Sequence, residues 1–324
     1  MRNVFDTLLV SMAAAVFSFA ADEGTTTKPK VIVVIGAEGS PEFGEQFRAW
    51  SERWLSAAEK GSADFEIIGS ETGDESDHDR LKAAIGKLAG ESNSPAWIVL
   101  IGHGTFDGQA AKFNLRGPDV TANELADWLK PVQRPLAVIN CASASAPFVN
   151  RLAGKNRVVI ASTRSGNEQN FARFGKYMAE AVDDLSADLD KDAQVSLLEA
   201  YLTACRRLEE FYAQESRLAT EHALLDDNGD GLGTPATWFR GLRATQRAKD
   251  GASLDGTRAH QFHLVASGRE LQIPAAARER RDKLEMDIAN LRSEKERLSE
   301  EEYFTRLEPF MLELSRIYSQ MDAE

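Results

Sequence analysis

The chain has 324 residues, 43% of them hydrophobic and 27% charged, which is enough apolar matter for one large or two modest domains. Its net charge of −13 excludes a general affinity for nucleic acid or for anionic membrane surfaces, and no basic cluster offsets it. Two cysteines are too few for a disulfide scaffold.

Residues 1 to 20 carry Arg2, an apolar run and then Ser18-Phe19-Ala20, the layout of a cleaved signal peptide, and residues 21 to 30 follow as a flexible leader. The protein is therefore expected to be exported, to the periplasm or beyond the cell. Nothing after this segment is apolar for long enough to span a membrane.

Residues 31 to 35 predict a first strand, followed by the turn Gly36-Ala37-Glu38-Gly39. The glycine spacing of a dinucleotide fingerprint is incomplete there, so the turn is read as a substrate-side loop. Apolar residues at three- and four-residue spacing (Phe43, Phe47, Trp50, Trp54) predict a helix over 42–59. A short strand at 65–68 and a helix at 79–88 come next.

Two apolar runs then each end on a residue able to do chemistry. Residues 96 to 101 run into Gly102-His103-Gly104, and residues 135 to 139 run into Asn140-Cys141-Ala142-Ser143. Short apolar, β-branched runs bounded by Gly or Pro suit central strands of a parallel sheet. Side chains just past the C-terminal ends of such strands line the ligand crevice. A thiol and an imidazole delivered to one edge can act as nucleophile and acid/base partner. Packing alone would also accommodate a buried Cys and a satisfied His.

Between the two runs lie a turn-rich insert (105–118) and a helix at 121–129, where Thr121 and Glu124 form a capping box. A brief helix at 146–152, a strand at 157–162 and a helix at 171–182 follow. Strands alternating with helices predict an α/β fold with a mainly parallel sheet. A long helix is expected over 195–224 and a late strand over 261–265. Cys205 lies among Leu202, Leu208 and Phe211 at helical spacing and is expected to be a buried free thiol. Beyond 269, Leu284, Ile288 and Leu291 mark one helix and Leu307, Met311, Leu314 and Ile317 a second. They form a helical hairpin able to pack on the core or on a protein partner.

Residues 188 to 199 place Asp188, Asp190, Asp192, Ser196 and Glu199 at positions one, three, five, nine and twelve of an EF-hand loop. That spacing predicts a structural Ca²⁺, with Ala193 standing where glycine normally makes the turn. Asp226, Asn228 and Asp230 repeat the opening pattern with its glycine, but Thr237 stands where the closing Glu belongs. His260 and His263 would face opposite sides of a strand, which argues against zinc. No nucleophile elbow and no phosphate-binding loop occur, so no organic cofactor is expected.

The strand ending in His-Gly, followed by a strand ending in Asn-Cys, resembles the caspase-like cysteine peptidases, over roughly residues 30 to 265. Within that clan the chain is similar to the legumain family, in a bacterial exported form; the Gln-Ala-Cys-Arg-Gly of cytosolic caspases is absent. The resemblance implies a peptidase domain over 31–268 that cleaves peptide or protein substrates. Cys141 would be nucleophile, His103 acid/base, and the backbone N–H groups of Gly104 and Cys141 oxyanion donors. Where legumains carry an Asn after the first strand and then an Arg, this chain has Glu38 and Gly44, so asparaginyl specificity is not carried over. Glu38 and, from the loop after the 157–162 strand, Arg164 and Glu168 are the candidate substrate-binding residues. A catalytically silent, calcium-stabilised interaction module is the alternative, and a transpeptidase sharing the thioester is a third.

Overall fold

The structure, a computed structural model, describes residues 28–321 except 72, 91, 93 and 252. The expected signal peptide and most of the leader lie outside the described residues.

Strand β1 (Lys30–Ile35) leads to helix α1 (Pro41–Lys60), β2 (Asp64–Ile68), α2 (Asp77–Lys87) and β3 (Ala96–Ile101). Three short antiparallel strands, β4 (Gly104–Phe106), β5 (Ala111–Phe113) and β6 (Val120–Thr121), fill the stretch read as a turn-rich insert. Next come α3 (Ala122–Leu129), β7 (Leu136–Asn140), α4 (Ala146–Leu152), β8 (Arg157–Ala161) and α5 (Phe174–Ala181). Helix α6 (Leu197–Gln214) precedes β9 (Leu224–Asp226), β10 (Thr234–Pro235) and the ribbon β11 (Phe239–Arg240) with β12 (Arg243–Ala244). Four α-helices complete the described residues: α7 (Thr257–Gln261), α8 (Gly268–Gln272), α9 (Ala275–Ser293) and α10 (Glu300–Met321).

The main sheet runs β10-β9-β8-β7-β3-β1-β2. From β2 to β8 every pairing is parallel; β9 and β10 are added antiparallel. Both faces are covered, so the central strands are apolar throughout and alternate residues feed two separate cores. Val33, Val99, Ile139 and Ile160 face α1, α5 and α6, where Trp54, Phe174 and Tyr201 are fully buried. Val34, Leu100, Val138 and Val159 face α2, α3 and α4. This is the α/β, mainly parallel sheet flanked by helices that the strand and helix pattern predicts.

Two local expectations are corrected. The helix expected over 195–224 stops at Gln214: Ser216 takes φ 52°, and Leu224–Asp226 becomes the strand that pairs with β8, with Leu225 fully buried. The strand expected at 261–265 does not join the sheet. His260 and Gln261 close α7, and His263 makes only an isolated bridge to Ser196. Phe262 and Leu264 do alternate into the core, so the period of two reflects burial without a ladder.

The C-terminal hairpin is present. Leu284, Ile288 and Leu291 bury its inner face, Arg280 meets Glu313 across it at 2.6 Å, and Arg281 anchors it to Glu270 of α8 at 2.7 Å. Among the described residues no helix is long and apolar enough to cross a membrane.

Candidate active site and cation loops

Strands β3 and β7 are hydrogen-bonded neighbours in register Leu100↔Asn140, so His103 and Cys141 emerge at the same edge of the sheet. Alternation along each strand sends both to the α1/α5 face. Cys141 packs there with Trp50 and Phe174. The His103 ring, half-buried, lies edge-on to Phe43 and Phe47 with centroids 4.9 and 5.3 Å away, and Phe171 is 5.9 Å away. Its Nε2 lies 3.2 Å from the Glu38 carbonyl oxygen. A carbonyl only accepts, so Nε2 carries the hydrogen and Nδ1 is the basic nitrogen.

The thiol is closed off. Cys141 is 0% exposed, and no hydrogen bond joins it to His103. A methyl group added to Gly175 would sit 2.7 Å from the Cys141 Cβ and 2.9 Å from the Trp50 ring, which shows how tightly these three pack. Burial, and secondly the negative charge of Glu221, push the thiol pKa far up, so the sulfur is held protonated. Glu221, itself pushed up by burial, caps α5 by accepting from Arg173 N, Phe174 N and the Tyr212 hydroxyl at 2.8–2.9 Å.

Both expected oxyanion donors are also engaged. Gly104 N–H donates to Ser143 Oγ at 3.3 Å, and Ser143 Oγ donates back to Gly104 O at 3.1 Å. The Cys141 N–H donates to Leu100 O at 2.9 Å. A Cβ at Gly104 would overlap the Ser143 carbonyl, so glycine is required for this close approach.

The candidate substrate residues point elsewhere than expected. The Glu38 carboxylate turns toward Arg48, 3.5 Å away, and only its backbone oxygen reaches His103. Glu168 is a brace: its carboxylate accepts from Arg164 N and His222 N and lies 2.6 Å from His222 Nδ1, while its carbonyl accepts from Ala144 N at 2.8 Å. Arg164 is exposed, with Nε 3.3 Å from Glu168. The segment from Thr163 to Arg173 thereby crosses the sheet edge. Gln169 donates to Phe106 O at 3.1 Å, and Phe171 settles on Phe43 with centroids 4.4 Å apart. Phe171, Ser143, His222 and Glu221 escaped sequence reading, because each matters through contacts with residues far along the chain.

The two acidic loops share one backbone design. In the first, Asp188 accepts from Lys191 N at 2.6 Å and Ala193 N at 3.1 Å, and Asp192 accepts from Gln194 N. In the second, Asp226 accepts from Gly229 N at 3.2 Å and Gly231 N at 2.7 Å, and Asp230 accepts from Leu232 N. Left-handed residues fall at matching places: Lys191 and Ala193 at φ 66° and 69°, Gly229 and Gly231 at 83° and 76°. Ala193 therefore makes the turn that glycine usually makes, at the steric cost of a Cβ.

The closing carboxylate comes from a different place in each loop. Glu199 accepts from the N–H groups of Leu189 and Asp190 and from Ser196, in a capping box at the start of α6. In the second loop Asp255 takes that part, accepting from the N–H groups of Asp227 and Asn228 and from Thr234 Oγ1. Thr237, at the formal closing position, is exposed. Burial lifts Asp226 to about 7, and burial with the charge of Asp227 lifts Asp255 to about 8. Buried carboxylates of this kind are the donor chemistry a hard divalent cation satisfies. In the first loop, oxygens of Asp188, Asp190 and Asp192 lie within 4.8 Å of one another. His260 sits beside them on α7, with Nε2 3.0 Å from Asp190.

No family model and no curated protein sequence matches the chain. Among solved structures it is similar to the Drosophila initiator caspase Dronc, with 12% identity over 72% of this chain and 95% of that one and a TM-score of 0.40. It is also similar to caspase-1 from Spodoptera frugiperda, with 10% identity over 62% of this chain and 87% of that one and a TM-score of 0.41.

Proposed function

We propose that this chain is a cysteine endopeptidase, legumain-like in its His-Gly and Asn-Cys strand ends, whose described conformation is a closed state. The supporting observation is the delivery of His103 and Cys141 to one edge and one face of adjacent central strands. A free thiol titrates near ~8.5, so a nearby base is needed to raise the thiolate fraction at neutral pH. His103 Nδ1 takes the thiol proton as sulfur attacks the scissile carbonyl carbon, and returns it to the leaving amine as the thioester forms. Water, deprotonated by the same nitrogen, then releases the acid and regenerates the thiol. Opening has to expose the sulfur, and to free the Gly104 N–H from Ser143 and the Cys141 N–H from Leu100 O so that they can meet the oxyanion.

The test is cleavage of a peptide library by the purified protein, with calcium and with chelator, beside Cys141→Ala. Cleavage that disappears in the variant supports the peptidase. Cleavage that persists in purified Cys141→Ala sinks it.

A second reading rests on the 0% exposure of Cys141: a non-enzymatic interaction module that keeps the fold and engages a protein through the C-terminal hairpin. Partner capture unaffected by Cys141→Ala, from protein that cleaves nothing under any condition, favours it. In both readings we assign a structural Ca²⁺ to Asp188, Asp190, Asp192, Ser196 and Glu199, and to Asp226, Asn228 and Asp230 with Asp255 added. Export follows from the reading of residues 1 to 20, and recovery of the protein only in the cytoplasm would overturn it.

A further inference from the structure

The geometry points to a specificity pocket for an aromatic side chain, formed by Phe43, Phe47 and Trp50 of α1 beside His103, with Phe171 as its occupant in cis. This deepens the peptidase reading and rests on it. Phe171 lies 4.4 Å from Phe43, 6.3 Å from Phe47, 6.1 Å from Trp50 and 5.9 Å from His103, centroid to centroid. Offset and tilted rings at these separations attract one another beyond simple area burial. The pocket adjoins the proposed reacting atoms on both sides, since His103 forms one wall and Trp50 packs with Cys141 against Gly175.

The segment bearing Phe171 is tethered as a bound peptide would be. Ahead of the ring, Glu168 O accepts from Ala144 N in the turn after Cys141, and Gln169 reaches the β4 backbone. After it, Arg173 N is fixed by Glu221, and the Arg173 guanidinium lies over the Phe171 ring at 5.4 Å. A substrate that displaces this segment would place its own side chain where Phe171 rests. Three walls are aromatic rings of α1 and the Arg173 guanidinium lies over the ring face, so a flat aromatic side chain such as Phe, Tyr or Trp fits best and Lys does not.

The test uses the full protein with Phe171→Ala, and Phe171→Leu as a variant that keeps an apolar occupant. Binding of N-acetylphenylalaninamide, N-acetylalaninamide and N-acetylglutamamide is read by thermal shift and by NMR of the His103 ring, assigned with His103→Gln. Phe171→Ala is expected to bind the phenylalanine amide at least about tenfold more tightly than the other two, with His103 signals moving; wild type and Phe171→Leu bind it weakly. Folded Phe171→Ala that shows no such preference, or binding that leaves His103 unmoved, overturns the pocket. Selective binding without any Cys141-dependent cleavage supports the pocket while removing the peptidase reading, so the two failures are separable.

Discussion

Asp255 closes the loop at 226–234 in the same manner as Glu199 closes the loop at 188–196, gripping the backbone N–H groups at the second and third loop positions and the side chain at the ninth. One closing acid lies eleven residues after Asp188, in the first turn of the loop's own helix; the other arrives from beyond the β11–β12 ribbon. A cation that binds only the folded chain stabilises it by about 2.7 kcal/mol at a hundredfold excess over Kd. Added Ca²⁺ is therefore expected to raise the melting temperature by several degrees and chelator to reverse it. Asp255→Asn should remove a large part of the calcium-dependent gain. Melting curves that ignore calcium, chelator and the substitution alike would refute both loops as cation sites.

Cys141 and Cys205 are both buried with their thiols held protonated. In the closed state both thiols should react negligibly with iodoacetamide at neutral pH, and both should label once the chain is unfolded in guanidinium. The raised folded-state pKa also sets a sign. Each thiol's contribution is fully present below its unfolded value, near 9.0, and is lost as pH rises beyond it, at about 1.4 kcal/mol per pH unit per thiol. Cys141→Ala should flatten that alkaline decline, and an unchanged slope would contradict the burial of its sulfur.

Gly175 has no room for a Cβ, since one would meet Cys141 at 2.7 Å and Trp50 at 2.9 Å. Gly175→Ala is expected to cost about 1–3 kcal/mol by overpacking. Denaturant midpoints would report it. A neutral result would mean that the wall between the thiol and α1 yields readily.

Burial pushes the Glu270 carboxyl up, but the Arg281 guanidinium, bonded to both of its oxygens at 2.7 and 2.9 Å, outweighs this and holds it below its ordinary 4.5. The depressed value means that its stabilisation is present above pH 4.5 and lost as pH falls below it. Limited proteolysis below pH 4.5, with an acid protease, should nick the α9–α10 hairpin before the sheet domain, and Glu270→Gln should show the same pattern at neutral pH. Equal resistance in all cases would place the hairpin's anchorage elsewhere.

The order of the elements was legible because it is written in local periodicity. Apolar runs bounded by Gly or Pro marked β1, β3, β7 and β8, and spacing of three and four marked α1 and α9. The Thr121–Glu124 cap needs only three residues of separation, and it is formed. The edge at which His103 and Cys141 meet follows from the same local signals, since two buried parallel strands must end on one side.

What covers that edge belongs to the tertiary structure. Alternation sends Cys141 to one face, but only the packing of Trp50 and Gly175, over ninety residues before it and over thirty after, closes the sulfur off from solvent. Phe171 read as the start of a helix, yet α5 begins at Phe174 and leaves that ring free to enter the aromatic pocket. Asp255 carries no motif of its own and becomes a loop-closing acid through hydrogen bonds formed across the fold. Sequence by itself determined which residues lie at the edge, because periodicity is a property of neighbours. The fold decided which of them are sealed, engaged or paired, because burial and hydrogen-bond partners are settled between segments that share no local pattern.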